Sequence, residues 1–222
     1  MTIMEAMQNR HSVRNYTERE IEADALAALQ AEIKACNTEG GLNIQLVTNE
    51  PDAFGGFMAR YGKFSDVRNY IALIGKKSSG LDEKIGYYGE RIALKAGQLG
   101  LNTCWVAMTF SKGKCGAKIG AGEKLVCVLS LGYGATQGVP HKNKPMESLC
   151  KTSVSMPDWF RSGMEAALLA PTATNQQKFL LTLSEDKVKA EATGGFYSKV
   201  DLGIVKYHFE IGAGAENFKW VH

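Results

Sequence analysis

No C-x-x-C pair occurs in this chain, and its cysteines (Cys36, Cys104, Cys115, Cys127, Cys150) are odd in number. An odd set without paired spacing argues against a disulfide frame or a zinc knuckle, and predicts free, packed thiols. The histidines (His11, His141, His208, His222) never reach the H-x-x-x-H or H-E-x-x-H spacing that places two ligands on one helical face, so no metal is expected. No apolar run approaches the roughly 18 residues a membrane helix needs. The opening MTIMEAMQNRHSVR lacks the continuous apolar stretch of an export signal, which gives a cytoplasmic expectation. Neither sign of charge dominates: 26 Lys and Arg face 23 Asp and Glu, and the cations are scattered, so nucleic-acid binding gains no support. Also missing are a G-x-S-x-G turn, a spaced Ser or Cys with His and Asp, and a G-x-G-x-x-G after a first strand. A chain without an evident proton-transfer group is expected to borrow its chemistry from a cofactor.

What is present is a globular balance, 45% apolar and 22% charged over 222 residues, enough for one large core or two small ones. Thr2 with Glu5 and Thr17 with Glu20 have capping-box spacing, predicting a short helix to about Arg10 and a second from about Glu18 to Ala35. Ile21, Ala25, Leu29 and Ile33 give that second helix a buried face. NIQLVT, NYIALIG and TCWVAM read as strands, a helix fills Asp82 to about Gln98, and LVCVLSLGY reads as a strand buried on both faces. Ser155 with Asp158, and Pro157 between them, predict a helix running to Pro171; FLLTL follows as a strand, and Asp201 is placed to cap LGIVKYHFEIGAGA. Alternating helix and strand with few hairpin signals gives an α+β layered fold.

A faint internal repeat is visible. Sliding residues 31–50 onto 166–185 without a gap pairs Ala31 with Ala166, Ala35 with Ala170, Leu46 with Leu181 and Glu50 with Glu185. Sliding 85–106 onto 200–221 pairs Gly97 with Gly212, Asn102 with Asn217, Trp105 with Trp220 and Val106 with Val221. Two matches in the same order suggest a duplication with a shortened second copy, 1–152 and 153–222, packed as one globular unit. Where the second copy has PTATNQQ, the first has CNTEGGL.

Four stretches could carry chemistry. In an extended RHSVR, Arg10, Ser12 and Arg14 share one face, and two guanidiniums flanking a hydroxyl suit a phosphate. In HKNK, Lys142 and Lys144 repeat that spacing after a buried strand. Read alone, the first is also compatible with a solvated loop and the second with ordinary surface lysines. TCWVAM is core-like, yet a strand end can offer backbone groups to the edge of a flat heteroaromatic ring. APTATNQQKF crowds Asn175, Gln176 and Gln177 into a helix-to-strand turn that does not need them.

Together these stretches resemble the FMN-dependent nitroreductase family: RHSVRNY is similar to its R-[RH]-S-x-[RK]-x-[FY] signature, APTATNQQKF to its A-P-S-x-x-N-x-Q-P-W loop, GLNTCWVAM to its G-L-G-x-C-W-x-G segment, and LGY with HKNKP to its G-Y…K-x-[RK] region. The late position of the amide loop resembles a subgroup in which one duplicated chain imitates the usual homodimer, giving a nitroreductase-like layered α/β/α fold and one complete flavin site. The resemblance implies FMN as cofactor, with Arg10, His11, Ser12, Arg14, Ala107, Met108, Lys142, Lys144, Pro171, Thr172, Ala173, Asn175 and Gln177 around it. Arg10, Ser12, Lys142 and Lys144 would hold the phosphate end, Arg14 would lie near N1 and O2, and Ala107 and Met108 near N5. Thr172, Ala173 and Asn175 would reach the ring or ribityl chain, and Gln177 would fix the loop.

The implied activity is hydride transfer from NAD(P)H to a nitroaromatic, quinone or similar flat acceptor by a ping-pong mechanism. A pseudo-dimeric monomer is implied as well. A flavin or small-ligand binding protein without catalysis is the alternative, and a thiol enzyme using Cys104 or Cys115 is a third.

Overall fold

The computed structural model describes residues 1–153 and 155–221; Val154 and His222 lie outside the described residues. In chain order these form α1 (Ile3–Asn9), α2 (Ala23–Gly40), β1 (Gln45–Val47), α3 (Phe57–Tyr61), β2 (Asn69–Lys76), α4 (Leu81–Gln98), β3 (Asn102–Val106), β4 (Glu123–Gly132), β5 (Cys150–Thr152), α5 (Asp158–Ala167), β6 (Phe179–Ser184), β7 (Lys187–Ala192), α6 (Ser198–Ala213) and β8 (Lys219–Val221). The chain divides into two compact units. Unit 1 comprises Met1–Gln8, Asp82–Arg91 and His141–His222; unit 2 comprises Asn9–Leu81 and Ile92–Pro140. The unit boundary at Pro140 thus differs from the repeat boundary at residue 152, and β5 belongs to the sheet of unit 1.

Unit 2 is built on the sheet β1-β2-β4-β3, antiparallel throughout. β4 is buried from Leu125 to Gly132, as its unbroken apolar sequence predicts for a central strand covered on both faces. An aromatic group, Phe54, Phe64, Tyr70 and Phe110, packs in its core, with the Phe54 and Phe64 centroids 5.3 Å apart. These rings form the base beneath α3.

Unit 1 carries a mixed sheet, β5-β6-β7-β8, in which β6 and β7 form an antiparallel hairpin and the outer strands add in parallel. α6 packs on β6 and β7 and beside α5, where Phe160 and Phe209 meet edge to face at 5.4 Å. α6 also crosses the Asp82–Arg91 part of α4 with no room for side chains: a Cβ on Gly203 would lie 2.0 Å from the Glu83 carbonyl oxygen, and one on Gly86 1.9 Å from that of Val200.

The capping box of Thr2 and Glu5 forms in both directions, Thr2 N donating to Glu5 Oε2 at 2.7 Å and Glu5 N to Thr2 Oγ1 at 3.2 Å. The other boxes do not. Thr17 donates its hydroxyl to the Tyr133 carbonyl, and α2 begins at Ala23 and continues to Gly40, where Gly41 closes it in the left-handed region (φ 63). α5 starts after Pro157 without a side-chain cap and stops at Ala167, short of Pro171. Asp201 sits in the first turn of α6 but spends its carboxylate elsewhere, on Ala173 N and Gln176 Nε2. β5 and β7 have no counterpart among the expected strands, and β8 is expected only as the strand that closes the second repeat. All three are short or highly charged, and they exist through pairing with distant or adjacent strands.

Candidate functional site

In unit 2 the RHSVR segment is extended and laid beside β3: Ser12 bridges Thr103 in parallel, and Val13 N donates to the Thr103 carbonyl at 3.1 Å. Residues 133–138 close its other side. Thr17 N donates to Tyr133 O and Ala135 N to Asn15 O, both at 2.8 Å. Gly138, at φ 71, comes so near that a Cβ there would lie 2.8 Å from the Cβ of His11. Val13 and Tyr16 turn into the core, and the Tyr16 hydroxyl meets Ser130 Oγ at 2.7 Å. Burial pushes that phenol far above its ordinary value.

The alternation that buries Val13 leaves Ser12 half-buried and Arg14 exposed. Burial raises the pKa of the Cys104 thiol, and Arg14, the Ser12 hydroxyl and Arg10 each oppose that rise. Arg10 is 9% exposed and has interactions of its own, while its Nε and Nη1 are buried without a hydrogen-bond acceptor. The Arg14 guanidinium carbon lies 5.9 Å from the Phe64 ring centre. Ala107 and Met108 follow directly on β3, the first half-buried and the second exposed.

In unit 1 the amide loop is a hydrogen-bonded cluster. Gln177, 4% exposed, accepts from Lys144 N through Oε1 at 2.8 Å; its Nε2 donates to Lys142 O and to Asn175 Oδ1, each at 2.9 Å. Asn175 Nδ2 also donates to Lys142 O at 2.9 Å, and Thr172 Oγ1 accepts from Gln177 N at 3.0 Å. Lys144 Nζ donates to the carbonyls of Gln176 and Gln177 at 2.8 and 3.2 Å. Asp201 anchors the far side, accepting from Ala173 N at 2.9 Å and Gln176 Nε2 at 2.7 Å. Burial raises its pKa to about 6 against those two hydrogen bonds. Pro171 is half-buried beside them.

The structure therefore carries Arg10, Ser12 and Arg14 on one extended segment of unit 2, beside the strand that ends at Val106, and Lys142, Lys144, Thr172, Ala173, Asn175 and Gln177 in unit 1. Asp201 is the member of the second cluster that sequence reasoning assigned otherwise. Its spacing to the amide loop, in a different element, offered no local signal. A separate cavity of about 150 Å³ in unit 2 is lined by Tyr16, Arg19, Asn49, Arg68 and Leu131, among others, and by none of the residues expected to hold a cofactor. Among the described residues no group of His, Cys, Asp and Glu could hold a metal ion, and no helix is long and apolar enough to cross a membrane.

The family model described as "Putative TM nitroreductase" matches residues 2–213. The chain belongs to that family. A "putative nitroreductase" from Thermotoga maritima shares the fold over 97% of this chain and 85% of its own, with a TM-score of 0.68 at 22% identity. A "Putative NADH dehydrogenase/NAD(P)H nitroreductase" from Bacteroides thetaiotaomicron covers 65% of this chain and 95% of its own, with a TM-score of 0.51 at 21% identity. A "putative nitroreductase in complex with fmn" from Desulfovibrio desulfuricans covers 67% and 95%, with a TM-score of 0.52 at 15% identity. At these identities the likeness is one of fold. No curated protein matches the chain.

Proposed function

We propose that the protein is an FMN-dependent oxidoreductase that passes hydride from NAD(P)H to a nitroaromatic, quinone or similar flat acceptor in alternating half-reactions. Membership of the nitroreductase family and a fold relative crystallised with FMN support the reading. The observation that carries it is the extended RHSVR segment laid beside β3, which buries Arg10 and sets Ser12 against Thr103. Two guanidiniums and a hydroxyl are donors without an acceptor among them other than the hydroxyl oxygen, which fits the phosphate and the electron-rich edge of a flavin.

When bound, FMN supplies the capacity to take a hydride from one substrate and deliver it to the next. The chain's own groups position and bias. Arg10 and Ser12 would bind anionic oxygen. Arg14, exposed but tethered through its backbone to Ser65, adds a fixed positive charge that favours the more negative, reduced form of the ring. Ala107 and Met108 would offer backbone groups to its edge. The amide loop with Lys142 and Lys144 forms the second proposed ligand set. Such chemistry relies on positioning and a suitable field, and calls on no acid or base of the protein.

Internal duplication is part of the same proposal. The offsets that align the repeats bring the start of α2 (Ala23) onto the start of α5 (Asp158), and the end of α4 (Gln98) onto the end of α6 (Ala213). β1 and β2 pair antiparallel as β6 and β7 do. In unit 2, β4 separates β2 from β3 and is antiparallel to both, so β2 and β3 run parallel; in unit 1, β8 lies directly beside β7 and parallel to it. Deleting the strand equivalent to β4 converts the first pattern into the second, which accounts for a part of the difference in length between the copies.

The visible spectrum of the purified chain, with and without added FMN, tests the reading. Flavin bands that bleach with NADH or NADPH and return on adding a nitroaromatic support it. Bands that do not respond to nicotinamide would favour the flavin-binding alternative.

A further inference from the structure

Two loops of unit 1 meet at one carboxylate. The amide loop carries three residues other than glycine in the left-handed region, Thr174 (φ 51), Asn175 (φ 55) and Gln177 (φ 44), and the turn into α6 carries a fourth, Tyr197 (φ 56). Backbone held in such sparsely populated regions persists only where surrounding bonds over-determine it. Asp201, 4% exposed in the first turn of α6, supplies two of those bonds. Its Oδ1 accepts from Ala173 N at 2.9 Å and its Oδ2 from Gln176 Nε2 at 2.7 Å. The same Gln176 Nε2 donates to the Phe196 carbonyl at 2.8 Å, and a Cβ on Gly195 would lie 2.2 Å from Gln176 Oε1. Gln176 thus pins the two loops together, and Asp201 holds the pin.

Both partners of this carboxyl are donors, which suits its ionised form. A carboxylate offers acceptors only, whereas the protonated group turns one oxygen into a donor facing an N–H. Charge-assisted hydrogen bonds are also roughly twice as strong as neutral ones. Among the described residues, the charges on neighbouring elements are engaged elsewhere or exposed. Glu83 of α4 takes the Lys206 ammonium at 2.7 Å, Lys144 serves the carbonyls of Gln176 and Gln177, and Lys189 of β7 pairs with Glu191 at 3.1 Å. Lys178 and Lys199 are exposed, Tyr87 gives its hydroxyl to Glu210, and Tyr197 accepts from Asp201 N through its carbonyl at 3.0 Å. Burial is left to set the titration, and it raises the pKa to about 6 against the two hydrogen bonds.

We propose that Asp201 is a pH-sensitive latch on the amide loop: ionised, it ties Ala173 and Gln176 to the first turn of α6, and protonated, it releases them. The proton has two effects of opposite sign. It relieves the burial of a charge and so favours the folded unit as a whole, while it weakens the bonds that hold one loop. The opening is therefore local. The latch does not rest on the FMN reading; under that reading it controls one of the two proposed ligand sets.

Amide hydrogen exchange of the full chain, resolved by residue, corrected for intrinsic rates and followed from about pH 5 to about pH 7.5, tests the latch. No flavin is added, so the result is independent of the FMN reading. In wild type, protection of Ala173 N–H should fall about tenfold as pH drops through 6, the size of a charged hydrogen bond replaced by a neutral one, while protection in β6 does not fall. Asp201→Asn, which presents one acceptor and one donor as the protonated acid does, should show the low-pH protection of Ala173 at every pH. Gln176→Met should free the turn at Phe196 at every pH and leave the response of Ala173 in place. Wild-type protection of Ala173 that is flat across this range would overturn the latch. An equal response in Asp201→Asn would overturn it too, as would a parallel fall in β6, which would report unfolding of the unit instead of release of a loop.

Discussion

His208 Nε2 lies 3.0 Å from Glu90 Oε1, and both side chains are fully excluded from solvent. The other ring nitrogen, Nδ1, lies 3.1 Å from the Ala166 carbonyl, which can only accept, so Nδ1 donates there and Nε2 is the nitrogen turned to the carboxyl. The pair ties α6 to α4 and α5 inside unit 1. Removing one partner leaves the other buried without its match, so Glu90→Ala or His208→Ala should each cost about 3–5 kcal/mol. Replacing both by leucine should recover much of that loss. Urea denaturation of the single and double variants measures it; additive losses would contradict the coupling.

Asp201 gives unit 1 a pH dependence of definite sign. Its folded pKa of about 6, raised by burial, stands above the ordinary 3.8. Its contribution is therefore fully present below about pH 4 and is lost as pH rises through 6. Relative to Asp201→Asn, wild type should lose up to about 3 kcal/mol between pH 4 and pH 7. Paired denaturation curves at several pH values check this, and a constant difference would contradict it.

Two glycines predict opposite outcomes for the same substitution. Gly203→Ala drives a Cβ to 2.0 Å from the Glu83 carbonyl and should destabilise by about 3 kcal/mol, because backbone on a neighbouring helix cannot yield as a side chain can. At Gly97, also helical, an added Cβ meets nothing within 4 Å, and Gly97→Ala should stabilise by about 0.5–1 kcal/mol. Melting curves of the two variants decide the matter.

The thiols separate by burial. Cys36, Cys104, Cys127 and Cys150 are buried, and Cys115 is half-buried. Burial raises the pKa of Cys104 in spite of its cationic neighbours, which suits a packing thiol. An alkylating reagent applied to the native chain should modify Cys115 first, and Cys104→Ala should keep flavin turnover. Loss of turnover in that variant without loss of bound flavin would revive the thiol-enzyme reading.

Much of the fold was legible where one element's own sequence decides its burial. β4 announces itself by eight consecutive apolar or small residues, and α4 by its length and period. The α1 capping box was legible because both partners lie within one turn. The Thr17 box failed because a tertiary acceptor, the Tyr133 carbonyl, took the hydroxyl. β5 and β8 span three residues each and gain strand form from their partners, which no local window contains. Of the candidate site, the burial of Val13 and exposure of Arg14 in RHSVR followed from extended-chain alternation. The use of the Lys144 ammonium on two loop carbonyls and the anchoring role of Asp201 did not, since each depends on carbonyls or donors supplied by another element.

The central claim, that this chain works through a bound flavin, is tested most directly by anaerobic titration of the FMN-loaded protein with NADH and NADPH, followed by a nitroaromatic or quinone. The account predicts stoichiometric loss of the flavin bands with at least one nicotinamide and their full return with the acceptor. A chain that takes up no FMN, or whose flavin stays oxidised with both nicotinamides, would contradict it.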